Sequence, residues 1–440
     1  MARLFLQIAF AVIGINFTLL KLGEMLHTDS PRLIAIVACL PAAVVGAASW
    51  LMNRSFARAW PVVGCLTLAW LGLLYAGLPN NNRGLVCITY LTLAVPLAAL
   101  IVEQRCWWSC VRTYVLATAG ALAFVIWFEF WIGNRGLGGS LQRLGFLMAE
   151  EGGTRTANPN IIGGQLALAA VLALMLHLKN AQWDLQAGRP NRRRSDFSPL
   201  WCVFLSIGCL LTASRGAFVA WFGGISLLLF SVRNQTTSKV QEMMVAGAMG
   251  VALLWFGAIA AGFQPWQSLQ ERFESPGEVL TASGRLTIWQ DAYSTWRSKP
   301  RYMAIGTGIG VAPDRLGQHA HYTLSDGLTL VALDSHNTFV EWGLSLGLVG
   351  VMAGLALAAS VYRQASRLDR LDGTYNRRAM LLTFALASMT FVTFYKLFFV
   401  AAAALLLAAM SEPAQRAVEA SGLVVRPSGG DSQHHRNAAA

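Results

Sequence analysis

Apolar residues in this chain come in long unbroken runs of about 17 to 25, the length that crosses a bilayer at about 1.5 Å per helical residue. The runs lie near 4–20, 33–52, 60–78, 85–102, 111–132, 160–178, 200–213, 217–232, 241–263, 338–361, 379–394 and 397–410. The pattern predicts an all-α polytopic membrane protein with about 12 transmembrane helices and both termini on one side. Residues 1–263 hold helices 1–9, residues 264–337 form a long external segment, residues 338–410 hold helices 10–12, and 411–440 read as a disordered tail. Within the external segment, Leu286, Trp289, Tyr293 and Trp296 recur at helical spacing between Gly284 and Pro300, so an amphipathic helix is expected there. The first run follows Arg3 and resembles a leader, but no small-residue cleavage site follows cleanly, and it reads as the first span.

Composition agrees. Of 440 residues, 55% are hydrophobic and 13% charged, with mean hydropathy +0.49. Soluble domains carry roughly twice that charge fraction. A cytosolic enzyme, a disordered chain and a disulfide-stapled secreted module are thereby excluded. Cys39, Cys65, Cys87, Cys202 and Cys209 fall inside apolar runs and Cys106 and Cys110 at the edge of one, so no disulfide framework is being built.

A net charge of +12 could mark a nucleic-acid surface, but its placement argues otherwise. With the N-terminus inside, the inside segments hold 20 Lys and Arg against eight in the short outside loops. That bias sets an N-in, C-in orientation. Residues 179–199 and 362–378 read as solvated inside loops facing anionic lipid, and no nucleic-acid partner is expected.

The outer face carries the candidate chemistry. Residues 200–232 contain one charged side chain, Arg215. They reach at most ~50 Å as helix, short of the ~60 Å that two full spans need. The tip Ser214-Arg215-Gly216 should therefore lie below the outer membrane surface, where an arginine is costly and faces a cavity. Asp334-Ser335-His336-Asn337 precedes the tenth span, in residue types that cap a helix N-terminus. Even-numbered spans present their N-termini outward, as at Asn158-Pro159 and Ser214. Such termini with arginines hold anions, phosphate above all, and disfavour an imidazolium, which keeps His336 a neutral base. Gly306-Thr-Gly-Ile-Gly310, with no strand before it, reads as a flexible turn. The acids Glu150, Glu151, Glu271, Glu274, Glu278, Asp326 and Asp334 form no metal-ligand spacing, and neither a metal nor a cofactor is expected.

Several fragments then converge. Asn158-Pro-Asn160, Leu211-Thr-Ala-Ser-Arg-Gly-Ala-Phe218, Ser283-Gly-Arg-Leu-Thr-Ile-Trp289, Pro300 with Gly306–Gly310, and Ser335-His-Asn-Thr-Phe339 with Gly343, Gly347 and Gly350 occur in this order. Together they resemble the O-antigen ligase and polymerase superfamily over roughly residues 155 to 355. The resemblance implies a metal-independent C-type glycosyltransferase of the bacterial inner membrane, working at the periplasmic face. Its donor would be a glycan on undecaprenyl diphosphate and its acceptor lipid A-core, with membrane lipids around it. Family positions map the diphosphate-binding arginines onto Arg215 and Arg285 and the essential histidine onto His336. Arg155, Lys396 and Asn337 are implied as helpers.

Within the superfamily a polymerase or a protein O-oligosaccharyltransferase shares the donor. The external segment is modest and the motifs are clean, which favours the ligase. A twelve-span transporter, with 179–199 as its central loop, is the rival of another class. Charges gathered on one face and a long loop in the second half only argue against it.

Overall fold

A computed structural model describes residues 1–16, 18–19, 30–53, 60–76, 82–136, 159–186, 198–212, 214–232, 285–311, 321–323, 329–331, 335, 337–372, 376–389, 396 and 398–420. The helices are α1 Ala2–Gly14, α2 Ser30–Asn53, α3 Trp60–Ala76, α4 Asn82–Glu103, α5 Trp107–Gly136, α6 Pro159–Gln186, α7 Ser198–Leu211 and α8 Arg215–Val232. They continue with α9 Arg285–Arg297, α10 Pro300–Ile305, α11 Thr338–Asp372, α12 Asn376–Ser388 and α13 Phe398–Ala420. A helix thus lies at each of eleven predicted spans, while the ninth, 241–263, falls outside the described residues. Among the described residues, four helices are long and apolar enough to cross a membrane, at Gly84–Glu103, Trp107–Trp127, Asn160–Lys179 and Thr338–Arg370, and six further apolar helices are shorter.

The described residues are all-helical apart from one short ribbon. Strands β1 His321–Thr323 and β2 Thr329–Val331 pair antiparallel, with His321 opposite Val331. Tyr, Thr, Leu and Val in these short runs suit a pleated ribbon. The last helix also runs to Ala420, past the predicted start of the tail at Ser411, through Ala, Glu, Gln and Arg, which favour helix.

The core is organised around α6. Its sequence is apolar on every side and rich in Ala and Gly, so it can be surrounded: 94% of its apolar window is buried, against 28% for α11. It packs on α5, α7, α8 and α12. Small residues set the close approaches, as membrane helix pairs require. A Cβ on Gly224 of α8 would meet Val171 of α6 at 2.7 Å and collide with Thr383 of α12.

The stretch 362–378 differs from the solvated loop predicted for it. Helix α11 continues to Asp372, and Asp369 is fully buried. Its carboxylate accepts the backbone N–H groups of Arg377 (3.1 Å) and Arg378 (3.0 Å) and pairs with both guanidiniums, at 3.4 and 3.2 Å. Arg377 Nε donates to the Ala409 carbonyl at 2.9 Å, tying α12 to α13. Burial is tolerable because every charge here has a partner. Arg363, Arg367 and Arg370 do stay exposed.

Candidate active site

Contacts along the bundle set the relative heights of four helices. In α6 and α8, Gly163 faces Ala217 and Val171 faces Gly224, so the two run parallel. In α11 and α13, Leu346 shares a cluster with Phe399, and Gln364 Nε2 donates to the Met410 carbonyl, which makes that pair parallel too. Lys179 of α6 lies over the Trp108 ring while Trp107 Nε1 donates to the Leu405 carbonyl of α13, so both pairs share one sense. Thr383 touches Gly224, and its neighbour Phe384 packs on Phe399 with ring centroids 5.5 Å apart. Gly224, Phe399 and Leu346 therefore stand at one level. Arg215 precedes Gly224 by nine residues and Asn337 precedes Leu346 by nine. At 1.5 Å per residue each lies about 13 Å from that level, on the same side. Lys396, three residues before Phe399, is about one turn beyond it. The N-termini of α6, α8, α11 and α13 thus open at one end of the bundle.

Arg215 is half-buried in the first turn of α8. The chain turns sharply before it. Thr212 Oγ donates to the Cys209 carbonyl at 2.7 Å and accepts the Ser214 N–H at 3.4 Å; Ser214 Oγ then accepts the Ala217 N–H at 3.3 Å, capping the helix. The turn rests on α6 at Gly163, where a Cβ would stand 2.6 to 2.7 Å from Ala217 and Thr212. Helix α7, at 14 residues, is about 21 Å long, and α8, at 18, about 27 Å, both under the ~30 Å hydrocarbon thickness.

The second half is built where α9 meets α11. Ile288 and Ala292 of α9 bury against Leu344, with Trp289, Trp296 and Val340 packed around them. Leu286 and Tyr293, the other two residues of the apolar stripe, are exposed. Helix α9 opens at Arg285, one turn before Trp289. Asn337 caps α11: its Oδ1 accepts the N–H groups of Phe339 (2.8 Å) and Val340 (3.2 Å). The side-chain oxygen of Asn337, one of the implied helpers, is thus engaged by its own helix start. Ser335 donates its hydroxyl to the Asn337 carbonyl at 2.8 Å and its N–H to Glu341 Oε2 at 3.3 Å, and its own carbonyl accepts Trp289 Nε1–H at 2.9 Å. His336, between these held neighbours, and Arg155 lie outside the described residues.

Helix α11 is broken at Gly347, whose φ of 64° and ψ of −159° suit only glycine. Residues 306–310 fill the break. Thr307 and Gly308 donate their N–H groups to the Leu344 and Ser345 carbonyls, each at 2.9 Å, and Trp342 Nε1 donates across to the Gly350 carbonyl at 2.7 Å. Gly306 to Gly310 are all buried, which corrects their reading as a flexible turn. The glycines permit backbone-to-backbone docking: a Cβ on Gly306 would collide with the Ser345 carbonyl.

Two features went unread in the sequence. Glu341 is a lone acid inside an apolar run, a signal of an intramembrane site in its own right, and it is fully buried. Gly347 entered only as part of a motif, yet it sets the shape of α11.

No curated protein sequence matches the chain. The family model described as O-antigen ligase matches residues 200–355, so the segment that contains Arg215, Arg285, Asn337 and the Gly347 break is similar to that family, in a chain whose described residues include four helices long and apolar enough to cross a membrane.

Proposed function

We propose that the protein is an O-antigen ligase, which transfers a glycan from undecaprenyl diphosphate to a sugar hydroxyl of lipid A-core at the periplasmic face of the bacterial inner membrane. The observation that supports it most is the common height of Arg215 and Asn337 on parallel helices, inside the segment matched by the O-antigen ligase family. In this reading Arg215 and Arg285 hold the diphosphate, and His336 is the base. The acceptor hydroxyl gives its proton to His336 as its oxygen bonds to the anomeric carbon. The bond from that carbon to the diphosphate oxygen breaks, and undecaprenyl diphosphate leaves with the electron pair. A single displacement inverts the anomeric centre and needs one base plus cations on the leaving group, with no metal. Arg155 and Lys396 assist on the same face.

The test is direct. Purified protein, given donor glycan on undecaprenyl diphosphate and lipopolysaccharide lacking O-antigen, should join them in EDTA, read as a ladder on a gel. His336→Ala should abolish joining while the protein stays folded. Full activity in that variant removes the base assignment. Donor joined to donor would move the protein to the polymerase class.

A further inference from the structure

Ser335 makes no regular secondary structure, yet its backbone is held at both ends by side chains from two different helices. Its carbonyl accepts Trp289 Nε1–H from α9 at 2.9 Å, and its N–H goes to Glu341 Oε2 of α11 at 3.3 Å. Ser335 and Glu341 have no exposed surface. Capping does not explain the glutamate, because Asn337 already satisfies the first N–H groups of α11, and Glu341 reaches two residues beyond the cap. Burying a carboxylate in an apolar run is costly and calls for a return.

The return is register. Trp289 stands one turn after Arg285, and Ser335 is the residue before His336. The apolar contact of Ile288 and Ala292 with Leu344 brings α9 to α11 but allows sliding; directional hydrogen bonds do not. We propose that Trp289 and Glu341 are positioning residues, a brace through Ser335 that fixes the His336 segment against the helix of Arg285. The role rests on the transfer reading above, since base and diphosphate must be aligned to fractions of an ångström, and a misplacement of about 1 Å costs on the order of 100-fold.

The test uses the full chain in detergent with the undecaprenyl-diphosphate donor and lipid A-core acceptor. Trp289→Phe keeps an aromatic ring at the position but removes the N–H along with part of the indole. It should lower kcat about tenfold and leave donor KM within about twofold, with an unchanged elution profile. Glu341→Ala should fall similarly, whereas Glu341→Gln keeps an acceptor oxygen and should stay within about threefold of wild type. Because both act through one residue, the double variant Trp289→Phe/Glu341→Ala should fall no further than the worse single. Wild-type kcat in both singles, or losses that multiply in the double, overturns the brace. If the wild-type chain joins nothing, the transfer reading fails and the positioning role fails with it. Amide exchange over residues 335–341 then reports the contact by itself, and protection unchanged by Trp289→Phe removes that too.

Discussion

Replacing Gly347 with alanine tests whether the break in α11 is structural. At φ 64° and ψ −159° a side chain costs about 1 to 3 kcal/mol in backbone strain alone. The added Cβ would also stand 2.5 Å from the Gly306 nitrogen and 2.6 Å from the Ala304 carbonyl carbon and oxygen, so the docked loop must withdraw. Withdrawal breaks the bonds from Thr307 and Gly308 to Leu344 and Ser345, at about 1 kcal/mol each. Gly347→Ala should therefore destabilise the protein by about 3 to 5 kcal/mol. Gly120→Ala is the control. It lies in the interior of α5 with nothing within 4 Å of the new Cβ, and it should be neutral or stabilising by up to about 1 kcal/mol. Thermal unfolding of both in the same detergent should place Gly347→Ala several degrees below wild type and Gly120→Ala at or above it. A Gly347→Ala protein that melts with the control would refute the docked-loop account.

Three further outcomes follow from the geometry. Arg215→Lys keeps the charge and loses the fork that matches a diphosphate, so turnover in the joining assay should drop about tenfold or more; near-normal turnover would count against direct contact. Asp369→Ala strips the partner from the buried Arg377 guanidinium and should cost about 3 to 5 kcal/mol by thermal unfolding, with no loss meaning the pair is solvated. Gly163→Val wedges α6 away from Thr212 and Ala217, and it should lower both the melting point and joining, because the turn that carries Arg215 rests there. Lower stability with full joining would separate the two.

Much of the fold was legible because membrane helices advertise themselves by uninterrupted apolar length, a signal that depends on composition and not on contacts. The shortness of the 200–232 hairpin was legible for the same reason, and α7 and α8 reproduce it. What escaped was anything decided by one residue's partner. Asp369, Arg377 and Arg378 read as loop charges since their pairing spans a turn and one carboxylate serves both arginines. Residues 306–310 read as flexible because glycines permit both motion and tight docking; only the carbonyls freed at Gly347 select the second. Half of the apolar stripe on α9 packs as well: Trp289 and Trp296 join Ile288, Ala292 and Leu344, while Leu286 and Tyr293 stay exposed.

The two halves of the candidate site are anchored by different physics, and their tolerance to change should differ accordingly. Arg215 is held by packing: a helix start wedged on Gly163, a serine cap, and a short span that cannot rise. Van der Waals contact is spread over many atoms, so no single loss frees that half. The His336 side is held by a few hydrogen bonds converging on Ser335, each directional and each removable by one atom change. Conservative polar substitutions near Ser335 should therefore impair alignment at little cost in stability, whereas substitutions around Arg215 should lower stability and activity together. A wholly packed site would couple the two everywhere. Activity losses without stability losses, confined to residues that reach Ser335, are what a braced site predicts.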